Sequence, residues 1–167
     1  MYDDITPPLS DEFLREIGLI TAYWSALEAQ MEVAILLHQK IDLSVGLVVT
    51  SSLGGLAKWN LLETFNNEGA FEPLSTKEEV KKLLRRINNA HARRNEVAHH
   101  VWVATDNPKV AVRQSVRARG QLNVINERVH IGQLQTIAEQ IRQTGEDLST
   151  FMDLQGLRVE DSTEDAL

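Results

Sequence analysis

The stretch Arg93-Arg94-Asn95-Glu96-Val97-Ala98-His99-His100-Val101-Trp102 marks the place where a helical pattern gives way to a strand pattern. Behind it, Val80, Leu83, Leu84, Ile87 and Ala90, then Val97 and Val101, recur at three- and four-residue spacing. That periodicity predicts an amphipathic helix over about 76–100. Ahead of it, Val110, Val112 and Val116 alternate with Arg113, Ser115 and Arg117, the two-residue repeat of a strand. Asp106-Asn107-Pro108 and Arg119-Gly120 read as turns, so short strands are expected over about 101–105, 109–117 and 121–128, with a basic outer face. The helical spacing carried on from Ile87 and Ala90 reaches His91 and Arg94, so a guanidinium falls where an apolar side chain is due. A buried unpaired charge is very costly, and Glu28, beside the core stripe of the first helix, is the candidate partner.

Working outward, Ser10 is a suitable N-cap, and Asp11 and Glu12 suit a first helical turn. Phe13, Ile17, Ile20, Trp24, Leu27, Met31, Ala34 and Ile35 then predict a long amphipathic helix over about 11–40. Gly18, Ala22, Ser25 and Ala29 form a second, small-residue strip, read either as an oligomer seam or as close packing inside the chain. Asp42 and Ser44 start a short apolar helix, about 44–52, that stops at Gly54-Gly55. A third helix, about 55–67, ends at Asn66-Asn67-Glu68-Gly69, which suits a C-cap. Ser75-Thr76-Lys77-Glu78 matches a capping box in front of the fourth helix. A final helix, about 132–153, carries Leu134, Ile137, Ala138, Ile141, Leu148 and Phe151. Residues 1–9, with Pro7-Pro8, are expected to form an extended arm. Residues 155–167 hold four acids and one base and are expected to be a disordered acidic tail. The fold class is therefore mainly α: a four- to five-helix up-down bundle over residues 10–154, with a small β-hairpin insertion at about 101–129 between the last two long helices.

Composition narrows the function classes. With 167 residues, 43% hydrophobic and 25% charged, the chain suits one soluble globular domain. It has no cysteine, which removes disulfides, zinc-thiolate sites and cysteine nucleophiles. Neither a signal-peptide pattern nor an apolar run of about 20 residues is present, so a cytoplasmic location without membrane contact is expected. The net charge of −7 argues against generic nucleic-acid binding. The charge is uneven, however: residues 1–40 carry −5, whereas 77–96 and 109–119 each carry +4. Local potential governs contact with phosphate. No GxGxxG, P-loop, HExxH or GxSxG pattern occurs. His99 and His100 are adjacent, so on a helix they diverge by about 100° and make a poor joint metal site. No metal and no cofactor are expected.

Arg94-Asn95-Glu96-Val97-Ala98-His99 is more specific. An arginine followed by asparagine, with histidine after a four-residue spacer, at the end of a long helix and ahead of a tryptophan, resembles the HEPN superfamily of small α-helical proteins. The opening helix, with Trp24-Ser25-Ala26-Leu27-Glu28, looks like the first helix of many such domains, and the likeness spans about residues 10–153. The basic strands depart from a minimal helical domain of that kind. The resemblance implies a metal-independent endoribonuclease, toxin–antitoxin or defence related. Arg94 and His99 would be catalytic with Asn95, Glu28, His100 and Trp102 would support them, and Arg113, Arg117 and Arg119 would engage the RNA backbone. The residue types suit the chemistry: histidine titrates near neutral pH and moves protons, and arginine forks onto phosphate oxygens. Five residues turn an ideal helix by about 140°, which would leave Arg94 and His99 on different faces. Either the helix distorts before His99 or two copies assemble the site across a two-fold axis. The resemblance implies the second, a homodimer, with an antitoxin or a nucleotidyltransferase-like protein as a further partner. The competing reading is a non-catalytic dimerisation or binding module that takes a nucleotide or a protein partner. In it Arg94 pairs with Glu28, Asn95 bonds backbone locally, His99 sits favourably at a helix C-terminus, and the basic strand is a solvated face.

Overall fold

The computed structural model describes residues 9–118 and 122–157, apart from the side chains of 116–118, 122 and 123. The expected N-terminal arm, except residue 9, and the acidic tail beyond residue 157 lie outside the described residues. Among them, the chain is mainly helical with one small three-stranded antiparallel sheet. The order is α1 (Asp11–His38), α2 (Leu43–Thr50), α3 (Gly55–Asn67), α4 (Lys77–Ala98), β1 (Val101–Ala104), β2 (Val110–Ala118), β3 (Leu122–His130) and α5 (Ile131–Leu154). No single described helix is long and apolar enough to cross a membrane; α2 and α3 meet that test only as a pair bent by 119°.

The element ends follow from local chemistry. Ser10 caps α1, its Oγ accepting from the Phe13 amide at 3.3 Å, and the same hydroxyl donates to the Pro108 carbonyl at 2.9 Å. Asp42 caps α2 by accepting from the Ser44 and Val45 amides at 2.9 and 3.2 Å. The capping box in front of α4 lies one residue later than the sequence pattern suggests. Thr76 and Glu79 form it, the Thr76 amide donating to Glu79 Oε2 at 2.9 Å and the Glu79 amide to Thr76 Oγ1 at 3.3 Å. Gly69, at φ 76°, closes α3, with the Ala70 amide donating to the Phe65 carbonyl at 2.9 Å. That left-handed turn is the geometry expected after Asn66-Asn67-Glu68.

The chain divides into two compact units. The first comprises Met1–Trp24 and Ala90–Arg142. Its core holds Phe13, Ile20, Trp24, Ala90, Val97, Ala111, Val129, Ile131, Leu134, Ala138 and Ile141. The sheet lies in this unit in the order β1-β2-β3, with Trp102 opposite Arg113, and Arg113 opposite Glu127. The second unit comprises Ser25–Asn89 and Gln143–Leu167, and Leu27, Met31, Leu36, Leu62, Phe71, Val80, Leu84, Ile87 and Leu148 are buried in it.

The second unit also buries charge. Lys58, 4% exposed, reaches Glu32 Oε2 at 3.0 Å and Glu28 Oε1 at 3.7 Å, and the Thr50 hydroxyl donates to Glu32. Glu28 is therefore paired with Lys58 and not with Arg94, which corrects the expected ion pair. Burial works to raise the Glu32 carboxyl, but the Thr50 hydroxyl and the Lys58 ammonium outweigh it and hold the group below the usual carboxylate range. Truncating one member of such a buried group costs about 3–5 kcal/mol, because its partner is left charged and alone. The buried face of α3 is Lys58, Leu62 and Asn66, spaced four apart, so two of its three inward positions are polar.

His38 closes α1 against two aromatic rings, with centroids 5.1 Å from Phe65 and 5.0 Å from Phe71. Burial lowers its pKa below the ordinary 6.5. The folded chain thus takes up this proton less readily than the unfolded one. The stabilisation is intact above about pH 6.5 and is lost as pH falls through the depressed value. The wild type should lose melting temperature as pH falls below about 6.5 more steeply than His38→Phe, which keeps the ring contacts without a titrating group. Calorimetric melts across that range check this, and parallel curves for the two proteins would contradict it.

Candidate functional site

Helix α4 ends with carbonyls that have no partner in a following turn, and the Arg93–Trp102 stretch supplies donors to them. The His99 amide donates to the Asn95 carbonyl at 3.2 Å. His100 Nδ1 lies 2.7 Å from the Glu96 carbonyl, which also receives Arg113 Nη1 at 3.4 Å. The Trp102 indole donates to the Val97 carbonyl at 2.9 Å. Trp102 also meets Phe13 edge-on at 5.5 Å. His100 and Trp102, expected to support a reaction centre, therefore bond the helix end first of all.

The remaining members of the stretch form a chain of side-chain hydrogen bonds. Arg94 Nη1 lies 3.1 Å from Asn95 Oδ1 and 3.2 Å from His99 Nε2. Asn95 Nδ2 lies 3.0 Å from His91 Nε2, and the His91 ring stands 5.2 Å from the buried Trp24 ring at a tilt of 43°. Arginine can only donate, so both Nη1 hydrogens are engaged, one by Asn95 Oδ1 and one by the lone pair of His99 Nε2. That requirement fixes the amide of Asn95: its oxygen faces Arg94 and its Nδ2 faces His91.

Arg94 and His99 therefore meet within one chain. The angle of about 140° that an ideal helix sets between them does not keep them apart: the His99 amide still bonds the Asn95 carbonyl four residues back, and the long arginine side chain reaches past the last turn to the His99 ring. A second copy is not needed to bring them together. Arg94 is half-buried and His99 exposed. Arg94 has no carboxylate within ion-pair distance among the described residues, and its Nε is a buried donor with no partner. A guanidinium with no carboxylate beside it keeps a charge that an anion can answer, beside a histidine that solvent can reach.

The basic strand face is less basic than its sequence suggests. Arg113 lies 2.5 Å from Glu127 Oε2 and 3.3 Å from Glu96 Oε2, while Glu96 also pairs with Arg93 at 3.1 Å. The guanidinium expected to hold RNA is thus committed to two carboxylates, one across the β2–β3 ladder and one on α4. The side chain of Arg117 and all of Arg119 lie outside the described residues. Among the described residues, no group of three or more histidine, aspartate or glutamate side chains is gathered as metal ligands would be. His91 is the site member that motif reading missed as a participant. Its signal was its place four residues before Asn95, on the same helical face.

No family model, curated protein or solved structure matches this chain.

Trp102→Phe keeps a ring against Phe13 but removes the donor to the Val97 carbonyl. It should cost about 1–2 kcal/mol and speed hydrogen exchange in the last turn of α4. Unchanged denaturation midpoint and exchange would mean that the indole hydrogen bond does not hold this helix end.

Proposed function

We propose that the chain is an endoribonuclease of HEPN type, toxin–antitoxin or defence related and cytoplasmic, whose reaction needs no metal ion. In this reading the helices form an up-down bundle carrying the β insertion. The observation that carries it is the pairing of an exposed histidine with an arginine that has no carboxylate. Arg94 sits beside His99 Nε2 at 3.2 Å. A phosphodiester supplies the anion that Arg94 lacks. In the reaction, the ribose 2′-hydroxyl attacks phosphorus and loses its proton, and the P–O5′ bond breaks. The 5′ oxygen takes up a proton, leaving a 2′,3′-cyclic phosphate and a 5′-hydroxyl. His99 is the proton carrier, and Arg94 donates to the non-bridging oxygens as charge builds there. Asn95 holds the guanidinium through its Oδ1.

The same reading makes the protein a homodimer in which two such clusters lie close together. The small-residue strip Gly18, Ala22, Ser25 and Ala29 supports this: all four residues are exposed along α1, so close packing within the chain does not cover them. An antitoxin or a nucleotidyltransferase-like protein is the further partner.

One observation favours a second reading, a non-catalytic module that binds a nucleotide or a protein partner. With Arg113 neutralised by Glu96 and Glu127, the strands offer RNA less positive charge than the sequence does.

Incubation of the purified protein with bulk cellular RNA in EDTA distinguishes the two. The catalytic reading expects fragments ending in 2′,3′-cyclic phosphate, with a loss of about 100-fold or more in His99→Ala and a comparable loss in Arg94→Ala, both melting near the wild type. An inert wild type, or variants that cut equally well, would overturn the nuclease assignment and leave the binding module.

A further inference from the structure

The chain of hydrogen bonds does not end at the arginine–histidine pair. We propose that His91 is a positioning residue for this site: it accepts a hydrogen bond from Asn95, and so fixes the amide that orients Arg94 toward His99. The proposal rests on the reading of Arg94 and His99 as the reacting pair, but its geometry stands without it.

Donors and acceptors dictate the arrangement. Asn95 has two ends, an oxygen that only accepts and a nitrogen that only donates. Arg94 Nη1, 3.1 Å away, demands the oxygen. The nitrogen must then face His91 Nε2 at 3.0 Å, which can accept only if that nitrogen carries no proton. The opposite amide orientation would set Nδ2 against Nη1, two donors facing one another. His91 with a free Nε2 lone pair thus locks the orientation that Arg94 demands, the one in which Asn95 can hold Arg94. Without an acceptor at position 91, Arg94 alone would orient the Asn95 amide, and the amide would be held at one end only.

His91 is itself held in place. It lies on the side of α4 that faces α1, where its ring stands against Trp24, which is 2% exposed. The helical spacing of four residues places its Nε2 beside the Asn95 amide. The result is a relay running Trp24, His91, Asn95, Arg94, His99, from the core to an exposed imidazole. The helical spacing alone marks His91 as a polar anomaly on the apolar stripe. The geometry makes it the base of the site. A 1 Å misplacement of a positioned group can cost about 100-fold in rate, so a residue two bonds removed from the reacting pair can control it.

Three variants separate this role from simple packing. His91→Phe keeps an aromatic ring beside Trp24 and removes the acceptor. His91→Gln restores an acceptor near the Nε2 position and removes the ring. Asn95→Asp keeps the acceptor toward Arg94 and removes the donor toward His91. Two readouts are needed: the Asn95 side-chain amide in ¹⁵N–¹H spectra, with its hydrogen-exchange rate, and kcat and KM for RNA cleavage in EDTA.

The expected result is that His91→Phe melts near the wild type. Its Asn95 amide should shift and exchange faster, and kcat should fall by about 10-fold or more with KM little changed. His91→Gln should recover most of both signals, and Asn95→Asp should leave cleavage insensitive to a further His91→Phe change. An unchanged Asn95 amide in His91→Phe overturns the proposal, as does kcat at the wild-type value. So does a failure of His91→Gln to restore either signal while it remains folded. If the wild type does not cut RNA, the nuclease reading fails, and the amide measurement alone decides whether His91 positions Asn95.

Discussion

The last turn of α4 imposes the constraint on which the site depends. A helix that stops must find donors for its final carbonyls. Here they are the His99 amide, the His100 imidazole, the Trp102 indole and Arg113 from the neighbouring strand. These bonds end the helix at Ala98, turn the chain into β1 and bring Arg113 to Glu96 and Glu127. The His99 amide keeps the four-residue helical bond to Asn95. Arg94 reaches forward over that last turn, and its Nη1 meets His99 Nε2 at 3.2 Å.

Polar groups are thus sorted into two kinds within one short stretch. His100, Trp102 and Arg113 satisfy backbone and carboxylates, and loss of any of them unpairs a group that is at least partly buried. Arg94, Asn95 and His99 satisfy one another and leave capacity over, namely a guanidinium charge that no described carboxylate neutralises and an imidazole open to solvent. The second unit shows the contrast. There the buried Lys58 is paired with Glu28 and with Glu32, which Thr50 also holds, and a cation so neutralised has little affinity left for an anion from outside. The same physics that makes the lysine cluster a structural fixture leaves the arginine as a candidate ligand group.

The order and type of the elements were legible in the sequence because helix and strand periods change sharply at Val101 and again near Ile131, and because Ser10, Asp42 and Gly69 carry standard cap chemistry. The Glu28–Arg94 pairing was inferred wrongly. Spacing along each helix says which residues face inward, but not which inward residues of different helices meet. The buried face of α3 was hidden because Lys58 and Asn66 are polar, and a hydrophobic pattern has no way to mark a buried ion pair. Ideal-helix geometry also misled at His99, since an angle around the helix axis does not count the reach of an arginine side chain. The commitment of Arg113 to Glu127 depended on strand register, which a run of alternating residues leaves open.

The bond from Arg94 to His99 Nε2 holds the candidate site together. It requires His99 to carry its proton on Nδ1 when neutral, the tautomer that solvated imidazole disfavours. Long-range ¹⁵N–¹H correlation spectra of the wild-type protein at mildly alkaline pH read the tautomer directly. The geometry predicts an unprotonated, hydrogen-bonded Nε2 and a protonated Nδ1 at His99, reverting to the ordinary tautomer in Arg94→Ala. A neutral His99 already protonated on Nε2 in the wild type would contradict it.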